Sequence, residues 1–333
     1  MINLIISKTN DPSYNLALEE YLTYHFKTND PILYIWQNAN TIVVGRNQNT
    51  YAEININEAM KDNVHIIRRN TGGGTVFHDM GNVCYSLIVN NDKNTETSFA
   101  DVLKPIIKYL QSENLNANFS GRNDIEIDGY KISGNAQLKS KEKVLQHGTL
   151  LFDVELPKIL KYLNVDPEKI KHQKVKSKPA RVANIKRLLT DINKDVSLEA
   201  FIEGVIKSYT VNEEVKWIKL NSNQQDIVTN LWENKYKLRE WTFGKNEDFE
   251  LSKKAYLETK GLLEIKLNID KGNISKIKIY GDFLGYEGTE ELEKHLTNIS
   301  YDYQQIKNVL NDFDLKQIFG EAFEIEDILG LIL

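Results

Sequence analysis

Short apolar blocks separated by polar residues, glycines and prolines run along the chain, and their spacing predicts strands and helices in mixed order. Leu4 to Ser7 reads as a first strand. Asp11-Pro12 marks a helix start, with Asp as the cap and Pro where a missing N–H does no harm. Leu16, Leu18, Tyr21, Leu22 and Phe26 give that helix an apolar face. After a break at Asp30-Pro31, the stretches 32–36 and 41–45 read as strands, and Asn55 to Asn63 as a short helix. Apolar runs at 64–67 and 83–89 predict two buried strands, and a helix follows from about Ser98 to Glu113.

The segment 121–137 alternates with period two around Asp128-Gly129, the signal for a two-residue hairpin turn. In that register Ile127 faces Tyr130, Glu126 faces Lys131 and Asp124 faces Ser133. One face then carries Ile125, Ile127, Tyr130 and Ile132, and the other carries Asp124, Glu126, Lys131 and Ser133. The polar face is either a solvated surface or a rigid mount that aims a lysine and a carboxylate at an anion and its metal. His147 to Asp153 reads as a further strand, Pro157 to Leu163 as a helix start, and 198–209 and 223–235 as helices. Composition changes at 241–246. Beyond it the chain restarts with alternating strands at 263–269 and 274–280, joined by a turn at 271–273, and helices at about 289–296 and 303–312. This predicts a separate small α+β unit of roughly 80 residues, within the usual size of an independent domain.

Between the two buried runs lies Arg68-Arg69-Asn70-Thr71-Gly72-Gly73-Gly74-Thr75-Val76-Phe77-His78-Asp79-Met80-Gly81-Asn82. Consecutive glycines permit positive φ and let backbone N–H groups approach a ligand closely. Two adjacent guanidiniums favour an anionic one. No Lys-Ser/Thr follows the glycines and no helix opens there, which excludes a P-loop and a dinucleotide fingerprint. A glycine loop, two arginines and a lysine–aspartate hairpin suit a nucleotide phosphate beside a second, carboxylate-bearing ligand, whose identity the residues leave open.

Composition narrows the class. A net charge of −5 over 333 residues argues against a general nucleic-acid footprint. A single cysteine, Cys84, rules out a disulfide framework within the chain. The apolar opening Met1–Ile6 is interrupted by Lys8, too early for a signal peptide, and no run reaches membrane-spanning length. The expectation is a cytoplasmic protein with no membrane partner. The basic stretch 169–187 is a solvated face, or a segment that closes over a nucleotide or steers an acidic partner.

Several motifs in order resemble the lipoate–protein ligase A family: 68–82 as quoted, Gly121-Arg122-Asn123-Asp124-Ile125, Gly129-x-Lys131-Ile132-Ser133-Gly134-Asn135-Ala136 and His147-Gly148-Thr149-Leu150-Leu151. Asn15 to Glu20, Trp36 to Thr41, Val44-Gly45-Arg46 and Ile279 to Phe283 extend the similarity over essentially the full length. The resemblance implies an α/β (α+β) biotin/lipoate ligase-like catalytic domain with mixed sheets and flanking helices over 1–245, and an accessory domain over 246–333. It implies that lipoate (or octanoate) and Mg-ATP give an acyl-adenylate and pyrophosphate. The acyl group then passes to a lysine of a lipoyl-domain protein, either the H protein of glycine cleavage or acyltransferase (E2) subunits of 2-oxoacid dehydrogenases. Carried over by position, Lys131 is the catalytic lysine, contacting the lipoyl carbonyl and the adenylate phosphate. Arg69, Gly74, Thr75, Val76, Phe77, Asn82 and Arg181 match ATP or adenylate positions. Trp36, Gly72, Gly73 and His147 match the lipoate pocket, and Asp124 the magnesium position. In the loop Ser177-Lys178-Pro179-Ala180-Arg181-Val182-Ala183-Asn184 the family's second serine is Ala180, and Pro179 stiffens the backbone and removes a donor. Within the superfamily the rival is an octanoyl- or lipoyltransferase working through a Cys84 thioester. A non-catalytic lipoate carrier is a second alternative. A biotin ligase is disfavoured, since its Gly-Arg-Gly-Arg type loop is absent. The small domain is expected to move relative to the large one during the cycle.

Overall fold

The central strands of the main sheet are buried on both faces. The structure is a computed structural model that describes residues 1–91, 98–164, 181–244 and 248–333. Its strands are β1 (Ile2–Ile6), β2 (Ile32–Trp36), β3 (Thr41–Val44), β4 (His65–Arg68), β5 (Val76–His78), β6 (Asn82–Asn90), β7 (Ala117–Ser120), β8 (Asp124–Ile127), β9 (Tyr130–Lys139), β10 (Lys143–Leu151), β11 (Arg181–Val182), β12 (Val215–Trp217), β13 (Leu251–Leu257), β14 (Gly261–Asp270) and β15 (Asn273–Gly281). A nine-stranded sheet runs β12-β1-β2-β6-β10-β9-β8-β7, with β11 beside β9. The β1–β2 and β1–β12 pairs are parallel, and the path from β2 to β7 is antiparallel.

Along β6 the residues Val83 and Tyr85 join one core, under the helices Phe99–Ser112 and Leu198–Thr210. The alternate residues Cys84 and Ile88 join the other, beneath the helix Pro12–Tyr24. That helix is the parallel crossover between β1 and β2. The Asp11 side chain caps it, accepting from the backbone N–H of Ser13 and Tyr14. Asn15, Leu16, Ala17, Leu18 and Glu19 are all buried, so it has no single apolar face but is enclosed on most sides. Phe26 lies beyond its end at Tyr24.

A small sheet, β4-β3-β5, stands against the same side of the main sheet and lends Val43 and Ile67 to that core. The site lies between the two sheets. The C-terminal strands β13-β14-β15 and the helices Glu290–Leu296, Tyr303–Asn311 and Ile325–Ile332 close a core of their own, from Leu263 to Ile332.

The helix expected over 55–63 is present as Ile56–Lys61, capped by the Asn55 side chain, and a separate single turn, Thr50–Glu53, capped by Asn49, precedes it. Two local expectations are corrected. The helix expected over 223–235 is Ser222–Leu231 followed by a π turn, Trp232–Tyr236. The hairpin turns at Asp128-Gly129, both at positive φ (+50° and +78°), but a bulge after Glu126–Lys131 shifts the register. Ile125 therefore pairs with Ser133, and Asp124 with Gly134. Ser133 is fully buried, not on the polar face. Among the described residues no helix is long and apolar enough to cross a membrane.

Candidate functional site

The bulge decides what faces the cleft. It puts Gly134 on the Lys131 side, where a Cβ would come within 3.3 Å of the lysine Cε and Nζ. The missing side chain leaves room for the ammonium, which sits 2.8 Å from Asp124 Oδ1. Glu126, directly opposite Lys131 in the ladder, is not its partner. Lys131 and Asp124 are partly exposed, and Lys131 lines a cavity that it shares with Leu16, Trp36, Val43, Val76, Cys84 and Ala136. A cation thus borders a largely apolar cavity.

A buried polar chain closes the floor. Trp36 Nε1 donates to Ser86 Oγ (3.0 Å), and Ser86 Oγ donates to Glu19 Oε1 (2.6 Å). His147 Nδ1 lies 2.9 Å from the same carboxylate oxygen, and its Nε2 lies 2.8 Å from Thr71 Oγ1. Both ring nitrogens of His147 are therefore occupied, so it offers a ligand its ring surface. The Trp36 N–H is likewise engaged, leaving the indole as an apolar wall.

His78 differs, and sequence reasoning missed it. Asn15 Nδ2 donates to the backbone carbonyls of Thr9 and Gln37 and to Asn38 Oδ1. Asn38 must then turn its Nδ2 toward His78 Nδ1, 3.2 Å away. The His78 proton consequently sits on Nε2, which is buried and has no partner among the described residues. Burial, helped by Arg69 and His147, pushes the imidazole down to about 3, so it is neutral. His78 lines the cavity with one free N–H donor. The signal for it was the His-Asp pair after the glycines, but its orientation depends on Asn15 and Asn38, far off in sequence.

Both arginines are anchored by acceptors of the protein itself. Arg68 donates to the carbonyls of Gly45, Arg46, Gln48, Trp241 and Thr242 and to Thr50 Oγ1. Arg69 donates to Thr71 Oγ1 and to the carbonyls of Val43, Gly72 and Gly74, and lines the cavity with what remains of its guanidinium. Desolvation lowers both to about 10, so both stay charged near neutrality. They are struts that hold the loops in shape.

Each glycine of the triplet has its own reason. A Cβ on Gly72 would meet the Phe283 carbonyl oxygen at 2.5 Å, and Gly73 has φ +87°. Gly74 has nothing within 4 Å of a Cβ position, so its backbone is open to the cavity. Thr75 and Val76 also line the cavity. Val76 and Phe77 form β5, not loop, and β5 is an edge strand paired only with β3, so part of its backbone points away from that ladder. The Phe77 side chain is in the core against Tyr162. The small domain covers the loop from outside: Gly73 N–H donates to Phe283 O (3.1 Å) and Gly281 N–H to Asn47 O (2.9 Å).

Asn82 is buried near the cavity without lining it, its Nδ2 donating to Cys84 Sγ (3.2 Å) and its Oδ1 unpartnered among the described residues. Cys84 does line the cavity, and burial pushes its thiol well above the ordinary range. Asn123 and Asn135 also line it, exchanging amide–carbonyl bonds across the hairpin. Of Arg181 only the backbone is described, paired with Tyr130 in β11. Ser177, Lys178, Pro179 and Ala180 lie outside the described residues. No cluster of three or more His, Cys, Asp or Glu fit to hold a metal occurs among the described residues. With Asp124 the carboxylate paired with Lys131 among the described residues, the donor set suits a magnesium ion carried mainly by phosphates and water.

Comparison with known proteins follows this geometry. The model of the lipoyl protein ligase A/B catalytic domain matches residues 11–210, and that of the bacterial lipoate protein ligase C-terminus matches 246–332. The chain is 40% identical to "Probable lipoate-protein ligase A" of Mycoplasma pneumoniae, over 95% of this chain and 94% of that one. It is 35% identical to lipoate-protein ligase LplJ of Bacillus subtilis, over 97% of each. Among solved structures, P. falciparum LipL1 in complex with lipoate superposes with a TM-score of 0.81 and 28% identity, over 100% of this chain and 99% of that one.

Proposed function

The chain belongs to the lipoyl protein ligase A/B family, and from that premise we propose how its site makes it an ATP-dependent lipoate–protein ligase. The observation that carries the reading is the Lys131 ammonium, paired with Asp124 and lining a largely apolar cavity together with the open backbone at Gly74. A linear acyl chain fits the cavity between Trp36, Val43, Val76 and Ala136, with its carboxylate at Lys131. ATP then lies along Gly74, Thr75 and the edge of β5, bringing its α-phosphorus to that carboxylate. Carboxylate oxygen attacks the α-phosphorus, the α–β bridging bond breaks, and pyrophosphate leaves. Lys131 offsets charge on the carboxylate and phosphate oxygens as the acyl-adenylate forms. It stays to polarise the carbonyl when the amine of an acceptor lysine attacks and AMP departs. Asp124 would hold the magnesium, which supplies charge neutralisation on the phosphates. His78 Nε2–H is the donor left for an acceptor atom in the cavity, while Arg69, Thr71 and His147 keep the loop and floor rigid.

The acceptor is a lipoyl-domain protein. Of that class, the H protein of glycine cleavage or the acyltransferase subunits of 2-oxoacid dehydrogenases are the partners we propose, and the cytoplasm is the compartment. Pyrophosphate release from Mg-ATP with and without lipoate tests the reading, and lipoate-independent release would contradict it.

The transferase alternative requires a nucleophilic thiolate at Cys84. Burial disfavours that charged form. Cys84→Ala is therefore expected to keep most of the lipoylation activity in an acceptor-labelling assay, and loss of labelling would revive the thioester route. The docked small domain blocks the outer side of the glycine loop through the Gly73–Phe283 bond. We expect it to swing away for acceptor entry, so matching domain orientations in free and adenylate-bound crystals would count against the proposal.

A further inference from the structure

A second pocket lies at the junction of the two domains and shares no lining residue with the catalytic cavity. Its catalytic-domain wall carries Arg46, Asn47, Gln48 and Arg68, and its small-domain wall carries Lys278 and Tyr280 among others. Arg46 Nε, Asn47 Nδ2 and Gln48 Nε2 are buried with no hydrogen-bond partner among the described residues. Asn47 is 6% and Gln48 2% exposed. Buried polar groups are nearly always satisfied, so three orphans in consecutive residues on one pocket point to a missing partner.

Two of the three orphans are donors by necessity. Arg46 Nε can be nothing else. Gln48 is fixed in orientation because its Oε1 already accepts from Gly45 N–H (3.0 Å) and Thr75 Oγ1 (2.8 Å). The missing partner must present acceptors. Charge agrees: Lys278 is matched by Glu293 (2.5 Å), Lys266 by Glu264 (3.5 Å) and Arg46 Nη2 by Glu290 (3.3 Å). Arg68 has no ion pair among the described residues, being held by carbonyls and a hydroxyl, and Glu290, already paired with Arg46, is the carboxylate that acts on it from a distance. A nucleobase, which mixes donors and acceptors, fits these donors less well than an oxyanion.

We propose that the domain junction is a binding site for a small phosphate-type oxyanion, held by Arg46, Asn47 and Gln48, whose occupancy favours the docked arrangement of the small domain. The linkage is geometric. The pocket exists only when both walls are together, so a ligand that binds it stabilises docking by mass action. Asn47 O also accepts from Gly281 N–H of the small domain, and Gln48 is bonded to Thr75 of the ATP-facing segment. The anion's source is either the phosphate pool or the pyrophosphate that adenylation releases.

Calorimetric titration of the full-length protein with inorganic phosphate, and separately with pyrophosphate, at constant ionic strength and without nucleotide or lipoate, tests this directly. Saturable binding is expected in the wild type and in Lys131→Ala. It should weaken roughly tenfold or more in Asn47→Asp, which replaces a donor with a repelling carboxylate. Arg46→Lys, which keeps the charge opposite Glu290 but has no Nε–H, should weaken it similarly. Tighter binding of pyrophosphate would identify the reaction product as the source, and equal or tighter binding of phosphate the free ion. Binding lost in Lys131→Ala but unchanged in Asn47→Asp and Arg46→Lys, or no binding at all, would overturn the proposal. Because the readout is binding, it stands or falls apart from the ligase assay.

Discussion

Lys131→Ala is expected to cut lipoate-dependent pyrophosphate release by roughly a hundredfold to a thousandfold, the loss typical when one preorganised donor to a developing anion is removed. The lysine is mounted on a two-residue hairpin, with space cleared by Gly134 and Asp124 as its ionic partner among the described residues. Removing it does more than subtract a cation. It leaves the Asp124 carboxylate uncompensated where substrate anions must meet, and like charge there opposes binding of both lipoate and ATP. Folding should be little affected, since the Lys131 side chain is 31% exposed. Exposed ion pairs contribute about 0–1 kcal/mol. An unchanged unfolding midpoint with lost activity is the expected pattern. Lys131→Arg should recover only part of the rate, because the broader guanidinium meets the tight approach at Gly134. Wild-type rates in Lys131→Ala would remove the lysine from the chemistry.

Arg68→Ala is expected to destabilise the fold by about 3–5 kcal/mol, read from the midpoint of urea unfolding. Its guanidinium ties residues 45–50 to Trp241 and Thr242, which are far apart in sequence. Deleting it strands several buried carbonyls, each worth about 1–3 kcal/mol when left unsatisfied, partly offset by water entering the space. Arg68→Lys should recover a fraction, since an ammonium has three donors to distribute. A change under about 1 kcal/mol would mean that other contacts hold the 45–50 loop.

Much of the scaffold could be read from local chemistry. Asp11-Pro12 marked the helix start, Asp128-Gly129 marked the hairpin, and the apolar runs at 32–36 and 83–89 marked two central strands. What escaped was non-local. An extra residue at Ile132 is invisible to a period-two pattern, yet it moves Ser133 into the core and Gly134 beside Lys131. Val76–His78 is too short to stand out between glycines and a polar turn, so β5 was read as loop. That Arg68 and Arg69 are anchored on backbone carbonyls is also hidden, since no side-chain motif reveals such acceptors. The docking of Phe283 on the glycine loop is likewise a tertiary fact, although Gly72 needs its missing Cβ for that reason.

The central claim is that the acyl group is activated as an adenylate at Lys131 and not as a thioester at Cys84. Mass spectrometry of wild-type protein incubated with lipoate and Mg-ATP, without acceptor, tests it most directly. The account predicts non-covalent acyl-AMP released on denaturation, an unmodified Cys84, and no acyl-AMP from Lys131→Ala. An acyl group covalently attached to Cys84, or full acyl-AMP formation by Lys131→Ala, would contradict it.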